Sequence, residues 1–199
     1  PSEQEAFSRR IREVLVQAAR VTEAAQSNGG WGYEPRPGED EGSITATQTQ
    51  ALRAVHDINI SVSVETIRKA VEYMNEMMDK DGMTGYSRSR PDQRSPTLTA
   101  IGLCVLTHLG QYSDPKIKKG LNFLLENYKP GEGSNRPVRN SWADWWYFYG
   151  NYYATQAMHQ AGGRYWREWW PAARDSLMAS QSSSGLWSVA ESEQYGSAF

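Results

Sequence analysis

Four groups of residues in this 199-residue chain could do chemistry. The densest acidic cluster, Glu39-Asp40-Glu41, sits among Gly and Pro, and Glu41 is the first candidate acid. A single carboxylate beside flexible Gly42, without a partner to tune it, reads by default as a solvated loop acid, as do its two neighbours. Asp144 is the second candidate acid, although at the head of a helical segment its default role is capping. Cys104 and His108 are four residues apart and share a helical face, which His159 could approach. The apolar run Leu103-Cys104-Val105-Leu106 nevertheless reads as a buried thiol. With one cysteine, an internal disulfide and a multi-thiolate metal site are both excluded. No Ser/His/Asp spacing or phosphate-cradling glycine loop stands out, and no metal or cofactor is expected.

The fourth group is aromatic: Asp144-Trp-Trp-Tyr147-Phe-Tyr149-Gly-Asn151-Tyr152-Tyr153, followed by Gln156 and His159. Tyr147, Tyr149, Tyr152, Tyr153, Gln156 and His159 are the candidate ligand-binding set. Rings around a cavity stabilise a cation or hold a sterol-like or sugar-like ligand. They equally fill a narrow core, keeping their hydroxyls at the water edge. Eight Trp and eleven Tyr make large ring-lined surfaces expected, so a hydrophobic small molecule or a protein is the partner class. A net charge of -2 without a long basic run speaks against nucleic acid and anionic membranes. No apolar run approaches the ~20 residues of a transmembrane helix. The chain opens Pro1-Ser2-Glu3 without methionine, which leaves room for a removed leader and a secreted or periplasmic location; the sequence assigns no compartment.

The elements that must position these groups are helices. Ile11, Val14, Leu15, Ala18 and Val21 recur at three- and four-residue steps, predicting an amphipathic helix over 7–26. After a Gly/Pro-rich loop, Ser43 is the expected N-cap of a less charged helix to about Asp57. Ser63 caps a charged helix carrying Ile67, Ala70, Val71, Met74 and Met78. The loop Asp81-Gly-Met-Thr-Gly-Tyr86 precedes a less charged helix opened by Ser95-Pro96 and a charged one opened by Asp114-Pro115. A loop over 129–142 leads to the aromatic segment. Pro171 lies inside the last charged stretch, so that helix is expected to begin near it rather than at Tyr165.

This order repeats. Lys69-Ala70-Val-Glu-Tyr73-Met74 matches Lys119-Gly120-Leu-Asn-Phe123-Leu124 fifty residues later. Ala172-Ala173-Arg-Asp-Ser176-Leu177 follows fifty-three later, and Gln17-Ala18-Ala-Arg-Val21 precedes by fifty-two. Thr49-Gln-Ala-Leu52 is echoed by Thr155-Gln-Ala-Met158. Two helices per repeat of this length mean stacked helical hairpins, about four of them.

Nine residues after each first position stand Gln26-Ser-Asn-Gly29-Gly-Trp31 and Gln181-Ser-Ser-Ser-Gly185-Leu-Trp187, with worn copies at Met78 and Tyr128. Physically, Gln at a helix end bonds freed backbone groups, Gly permits a left-handed turn, and Trp packs back over the helix. A basic-small-x-x-aromatic-aliphatic run followed by Gln, Gly and Trp resembles the QW motif of squalene and oxidosqualene cyclases. Over nearly its whole length the chain resembles the superfamily of terpenoid cyclases and protein prenyltransferase β subunits. It is most similar to bacterial prenyltransferase/squalene-oxidase repeat proteins, whose Tyr-Tyr-Ala-Thr-Gln-Ala-Met and Gly-Gly-x-Tyr-Trp runs are present at 152–158 and 162–166.

The resemblance implies an all-α chain in one domain over 1–199, a partial α/α toroid with charged helices outside and less polar helices around a cavity. The full ring of the family has about six hairpins, so the chain is expected to be a piece of a longer one or to complete its ring by association. A further inner helix is expected to begin at Tyr195. The family's cyclases carry their acid as Asp-x-Asp-Asp-Thr-Ala or Asp-Cys-Thr-Ala-Glu. The counterpart Glu41-Gly42-Ser43-Ile44-Thr45-Ala46 keeps Thr-Ala but puts Ser43 and Ile44 at the acid places. The zinc-binding Asp-x-Cys of the prenyltransferases has Gly102 at its first place, and the complement-type thioester run is absent around Cys104. The resulting expectation is a ligand- or partner-binding scaffold with an aromatic concave cavity. Alternatives are a terpenoid-type enzyme using Glu41 or Asp144, and a structural module.

Overall fold

The structure, a computed structural model, describes residues 2–132 and 142–187, and only the backbone within 142–146. Among the described residues the chain is all helical apart from one small sheet: α1 (Glu3–Ala24), α2 (Gly42–Asp57), α3 (Val64–Met77), β1 (Gly85–Ser87), β2 (Arg90–Arg94), α4 (Pro96–His108), α5 (Pro115–Asn127), α6 (Trp142–Ala161) and α7 (Gly163–Ser180). The helices form two layers. In one, α4 packs between α2 and α6. In the other, α1 lies on α2, α3 and α5 lie on α4, and α7 lies on α6 and α5. These are the charged helices, whose one apolar face can be buried while the other stays in water. Helix α4 has no polar face to spare: Thr97 and all residues from Thr99 to Thr107 are buried, and it forms the centre of the larger core.

The repeat register is visible in hydrogen bonds from loop backbone to inner-helix threonines. Trp31 N–H donates to Thr45 Oγ1 at 3.1 Å, and Thr84 N–H donates to Thr99 Oγ1 at 3.2 Å. At the end of α1, Gln26 Nε2 donates to Gly29 O (3.1 Å) and Trp31 Nε1 to Thr22 O (2.7 Å). At the end of α7 the same pair recurs, Gln181 Nε2 to Gly185 O (2.8 Å) and Trp187 Nε1 to Leu177 O (2.8 Å). Each Trp therefore adds a donor to a carbonyl in the last turn of its helix and ties the loop back onto the helix end.

Several local expectations are corrected. Helix α1 starts at Glu3, where Ser2 and Glu5 form a reciprocal capping box. Its periodic apolar residues are mostly unpartnered: Ile11, Val14, Ala18 and Val21 are exposed, and only Leu15 of that set is half-buried. The N-cap of α2 is Glu41, not Ser43, because the longer side chain reaches back to Ile44 N–H from a residue whose own N–H is bonded to Trp31 O. Glu41 is buried, so only Glu39 of the acidic cluster fits the solvated reading; Asp40 is half-buried and accepts from Tyr73 Oη and Arg88 N–H, each at 2.9 Å. Helix α7 runs through Pro171 from Gly163. Its first half is anchored by Trp169, fully buried with Nε1 on Thr155 Oγ1 (2.9 Å), and by Tyr165 Oη on Asn122 (3.0 Å). Those contacts offset the ~3 kcal/mol of an interior proline. The β1–β2 hairpin has no counterpart in the sequence reading, since Arg90–Arg94 is exposed and contains a proline. Asp144 lies in the first turn of α6 instead of preceding it. Most of the expected loop over 129–142, and the helix expected from Tyr195, lie outside the described residues.

Candidate functional site

Repeat spacing brings three helix positions together. Glu41 caps α2; fifty-four residues on, Ser95 caps α4 by accepting from Leu98 N–H at 3.1 Å; fifty-two further on, Tyr147 stands in α6. These register-equivalent residues all line one cavity of about 690 Å³. Ser43 and Thr97, one position pair further along, line it as well, and their equivalent Tyr149 has its hydroxyl on Ser43. Apolar wall is supplied by Pro96, Leu98 and Ile101, and rings by Tyr33, Tyr86 and Tyr128 from the loops between helices.

Glu41 is the only buried carboxylate among the described residues. Its Oε2 accepts from Ile44 N–H at 3.0 Å and from Ser43 Oγ, at the positive end of the α2 dipole. No Lys or Arg among the described residues pairs with it; Arg94, at the rim, is engaged by Asp79 at 3.3 Å and Asp92 at 3.7 Å. Burial raises the pKa of Tyr86, Tyr128, Tyr147 and Tyr149, and the Glu41 charge adds to the rise at Tyr86 and Tyr149. At neutral pH the cavity therefore holds neutral phenols, and with the acceptor oxygens of Glu41 this is a surface that suits a mostly apolar molecule with one hydrogen-bond-donating or cationic head.

The sequence-predicted set divides among several places. Glu41, Tyr147 and, through Ser43, Tyr149 belong to this cavity. Tyr153 is buried in the core, edge-on to Tyr149 at 5.1 Å between ring centroids. Tyr152 and Gln156 line a polar groove of about 430 Å³ with Gln50 and His108. His159 is exposed and packs edge-on against Trp166 (4.9 Å). The side chain of Asp144 is outside the described residues. Sequence reasoning missed Ser95, Thr97, Leu98 and Ile101, and the signal that finds them is the repeat register itself, carried from Glu41 and Ser43 into the next inner helix.

On the floor of the polar groove, Gln50 Nε2 donates to Gln156 Oε1 (3.1 Å) and approaches Cys104 Sγ (3.5 Å), while Cys104 Sγ lies 3.2 Å from His108 Nδ1. Burial pushes the Cys104 thiol up to about 12, the Gln50 contact being a smaller opposing cause. A Cys–His pair of this kind holds a protonated thiol, not a nucleophilic thiolate. Native protein at pH 7.5 is expected to resist a disulfide-exchange thiol reagent and to take up one equivalent after denaturation; rapid native labelling would contradict this burial. An acid whose pKa rises on folding leaves stability unchanged below its unfolded value, about 8.5, and removes stability as pH climbs from there toward its folded value. Denaturation midpoints should accordingly decline above that pH, and less steeply in Cys104→Ala. His108 is shifted down by burial and then by the Arg53 charge, which keeps it neutral beside the thiol.

Among the described residues no group of three or more His, Cys, Asp or Glu is placed to hold a metal ion, and no helix is long and apolar enough to cross a membrane. Comparison with known proteins found no matching family model, no matching curated protein and no matching solved structure.

Proposed function

We propose that the chain is a helical-hairpin repeat domain of the terpenoid cyclase and prenyltransferase type, part of an α/α toroid, that binds an apolar small molecule at the N-terminal ends of α2 and α4. What carries this reading is the convergence of Glu41, Ser95 and Tyr147 on one cavity of about 690 Å³, within the ~300–1,000 Å³ typical of ligand sites. The alternation of charged and apolar helices in two layers, and the paired Gln and Trp hydrogen bonds at the ends of α1 and α7, support the repeat type. The apolar body of the ligand lies along Pro96, Leu98 and Ile101. Its head faces Glu41 and the hydroxyls of Ser43, Ser95 and Thr97. Binding is favoured over proton donation because Ser43 and Ile44 hold the places of the family's acids.

A panel of sterols, triterpenes and polyprenyl alcohols should contain a ligand that raises the melting temperature, by roughly 5–10 °C at a hundredfold excess over Kd. Leu98→Trp, which fills the cavity from a half-buried position, should abolish the shift while leaving the far-UV circular dichroism intact. A panel without effect, or a shift that Leu98→Trp does not touch, would sink the reading. The enzyme reading draws on a single observation, the burial of Glu41 beside that cavity. Incubation with squalene and shorter polyprenyl substrates, read by mass spectrometry, decides it: product formation that disappears in Glu41→Gln would put catalysis ahead of binding.

A further inference from the structure

The inner helices carry a second recess toward their C-terminal ends, away from Glu41. It is the polar groove of about 430 Å³, and the repeat register builds it as it builds the cavity. Gln50, Cys104 and Gln156 are equivalent positions of α2, α4 and α6, and one helical turn on stand Ala54, His108 and Gln160. Gln50, Gln156 and the whole of that next row line the groove. Helices α2 and α6 supply its sides, α4 lies between them, and the loop from α4 to α5 adds Tyr112. The bond from Gln50 Nε2 to Gln156 Oε1, at 3.1 Å, ties the two sides together. Every lining residue falls between Gln50 and Gln160.

The lining is polar and balanced in charge. Arg53 Nε pairs with Asp57 Oδ1 at 2.9 Å, and Arg53 Nη1 donates to the carbonyl of His108, at the end of α4, at 3.0 Å. His108 is neutral at pH 7, because burial and then the Arg53 charge lower its pKa. A cation and an anion already joined leave no net charge to select an ionic ligand. Gln156 Nε2 turns to Tyr152 O (3.3 Å), so among the described residues Gln50 Oε1, the Gln160 amide and Arg53 Nη2 keep hydrogen-bonding capacity. Amides set a donor and an acceptor side by side, which matches hydroxyl groups that are both. Aromatic rings complete the lining. Tyr112 and Tyr152 are each 57% exposed, and Tyr152 is held edge-on to the buried Tyr153 at 5.0 Å between centroids. The face of a fixed ring is negative and attracts polarised C–H groups.

We propose that this groove binds a neutral saccharide, its hydroxyls on Gln50, Gln160 and the Arg53–Asp57 pair and the C–H face of a pyranose against the tyrosine rings. A molecule with hydroxyl-bearing edges and C–H faces uses both kinds of lining. An apolar ligand would strip water from the amides and the ion pair without replacing it, and a small ion would leave the rings without a contact. The site is separate from the cavity at Glu41, which lies nine residues, about 13 Å, before Gln50 along α2. Occupancy of one does not depend on occupancy of the other.

Maltose, cellobiose, diacetylchitobiose and lactose are the probes, titrated into the protein and followed by saturation-transfer NMR, which reports the sugar protons nearest the protein. At least one should bind, with transfer concentrated on the C–H protons of one ring face and no weakening as salt is raised, since no net charge attracts it. Tyr152→Ala should weaken that binding by at least about fivefold and Tyr152→Phe by no more than about twofold, because the ring and not the hydroxyl makes the contact. Gln160→Ala should weaken it by about two- to tenfold, the worth of one hydrogen bond. Tyr152 and Gln160 are exposed, so melting temperature and helix content should match the parent. Leu98→Trp, at the other cavity, should leave sugar binding unchanged. A panel without a binder, a binder indifferent to Tyr152→Ala and Gln160→Ala, one lost in Leu98→Trp, or tighter binding of choline or inorganic phosphate than of any sugar would each overturn the proposal.

Discussion

Trp31→Ala is expected to lower the unfolding free energy by about 3–5 kcal/mol, while Trp187→Ala, in the same motif, should lower it by only about 1 kcal/mol, the worth of one hydrogen bond. The two indoles make the same bond to the last turn of their helices, at 2.7 and 2.8 Å. Their surroundings differ. Trp31 is 2% exposed and sits in a core with Ala19 and Ala25 of the α1 end, Leu52 of α2, Ile60 of the α2–α3 connector and Ala70 of α3. Its removal leaves a cavity where three helices meet and withdraws the donor from Thr22 O. Trp187 is half-exposed with its bond at the surface, so water replaces what is lost. Urea unfolding of both variants, compared through the midpoint at unchanged slope, measures the difference. Equal losses would mean that the motif acts through its local hydrogen bond and not through the core it closes.

The charged helices were legible because each buries one face at a fixed period and repeats letters there, as at Lys69-Ala70 and Lys119-Gly120. Caps at Ser63, Ser95 and Asp114 were legible because a short side chain before an apolar run has one economical partner, the N–H three or two residues on. Glu41 was not, since glutamate is an uncommon cap and its neighbours Gly42 and Ser43 fit the usual signals better. What makes it a cap is tertiary: the Trp31 bridge fixes its backbone where its carboxylate reaches Ile44 N–H. Pro171 shows the same limit from the other side, because the proline rule is local and the anchors at Tyr165 and Trp169 are not. The exposed stripe on α1 carries the clearest caution. Periodicity reports that a helix has an apolar face, but it does not report which helix covers that face, or whether it belongs to the same chain.

The candidate site was half-legible for a related reason. Its aromatic members were singled out as one run, 147–159, but a helix sends neighbouring residues to different sides. Tyr147 reaches the cavity, Tyr153 the core, and His159 the surface. Members drawn from separate repeats, Glu41 with Ser95 and Tyr147, are more than fifty residues apart yet occupy one register. In a repeat protein the site is therefore found by reading across the period, and the row Gln50–Cys104–Gln156, at the same two steps on the same three helices, is found in the same way.

The seat of one repeat's loop on the next charged helix can be tested at Gly82, which lies against α5. It has a φ of +83°, and a Cβ there would stand 2.5 Å from Lys116 O and 2.9 Å from Gly120 Cα, both backbone atoms of α5 that cannot swing aside. Gly110 has nearly the same φ, +81°, with nothing within 4 Å of a built Cβ. Gly110→Ala should thus cost only the left-handed strain of an alanine, about 1–2 kcal/mol. Gly82→Ala adds to that strain an overpacking term of about 1–3 kcal/mol, so a total of roughly 2–5 kcal/mol is expected, and the α3–α5 contact should loosen first. Hydrogen exchange would show it as lost protection in the first turns of α5, where Lys116 and Gly120 carry the loop. Gly29 makes the corresponding approach to α3, so Gly29→Ala should unprotect α3 in the same manner. If Gly82→Ala and Gly110→Ala prove equally costly, the loop does not press on α5 as described, and the register that places Glu41, Ser95 and Tyr147 around one cavity loses its mechanical basis.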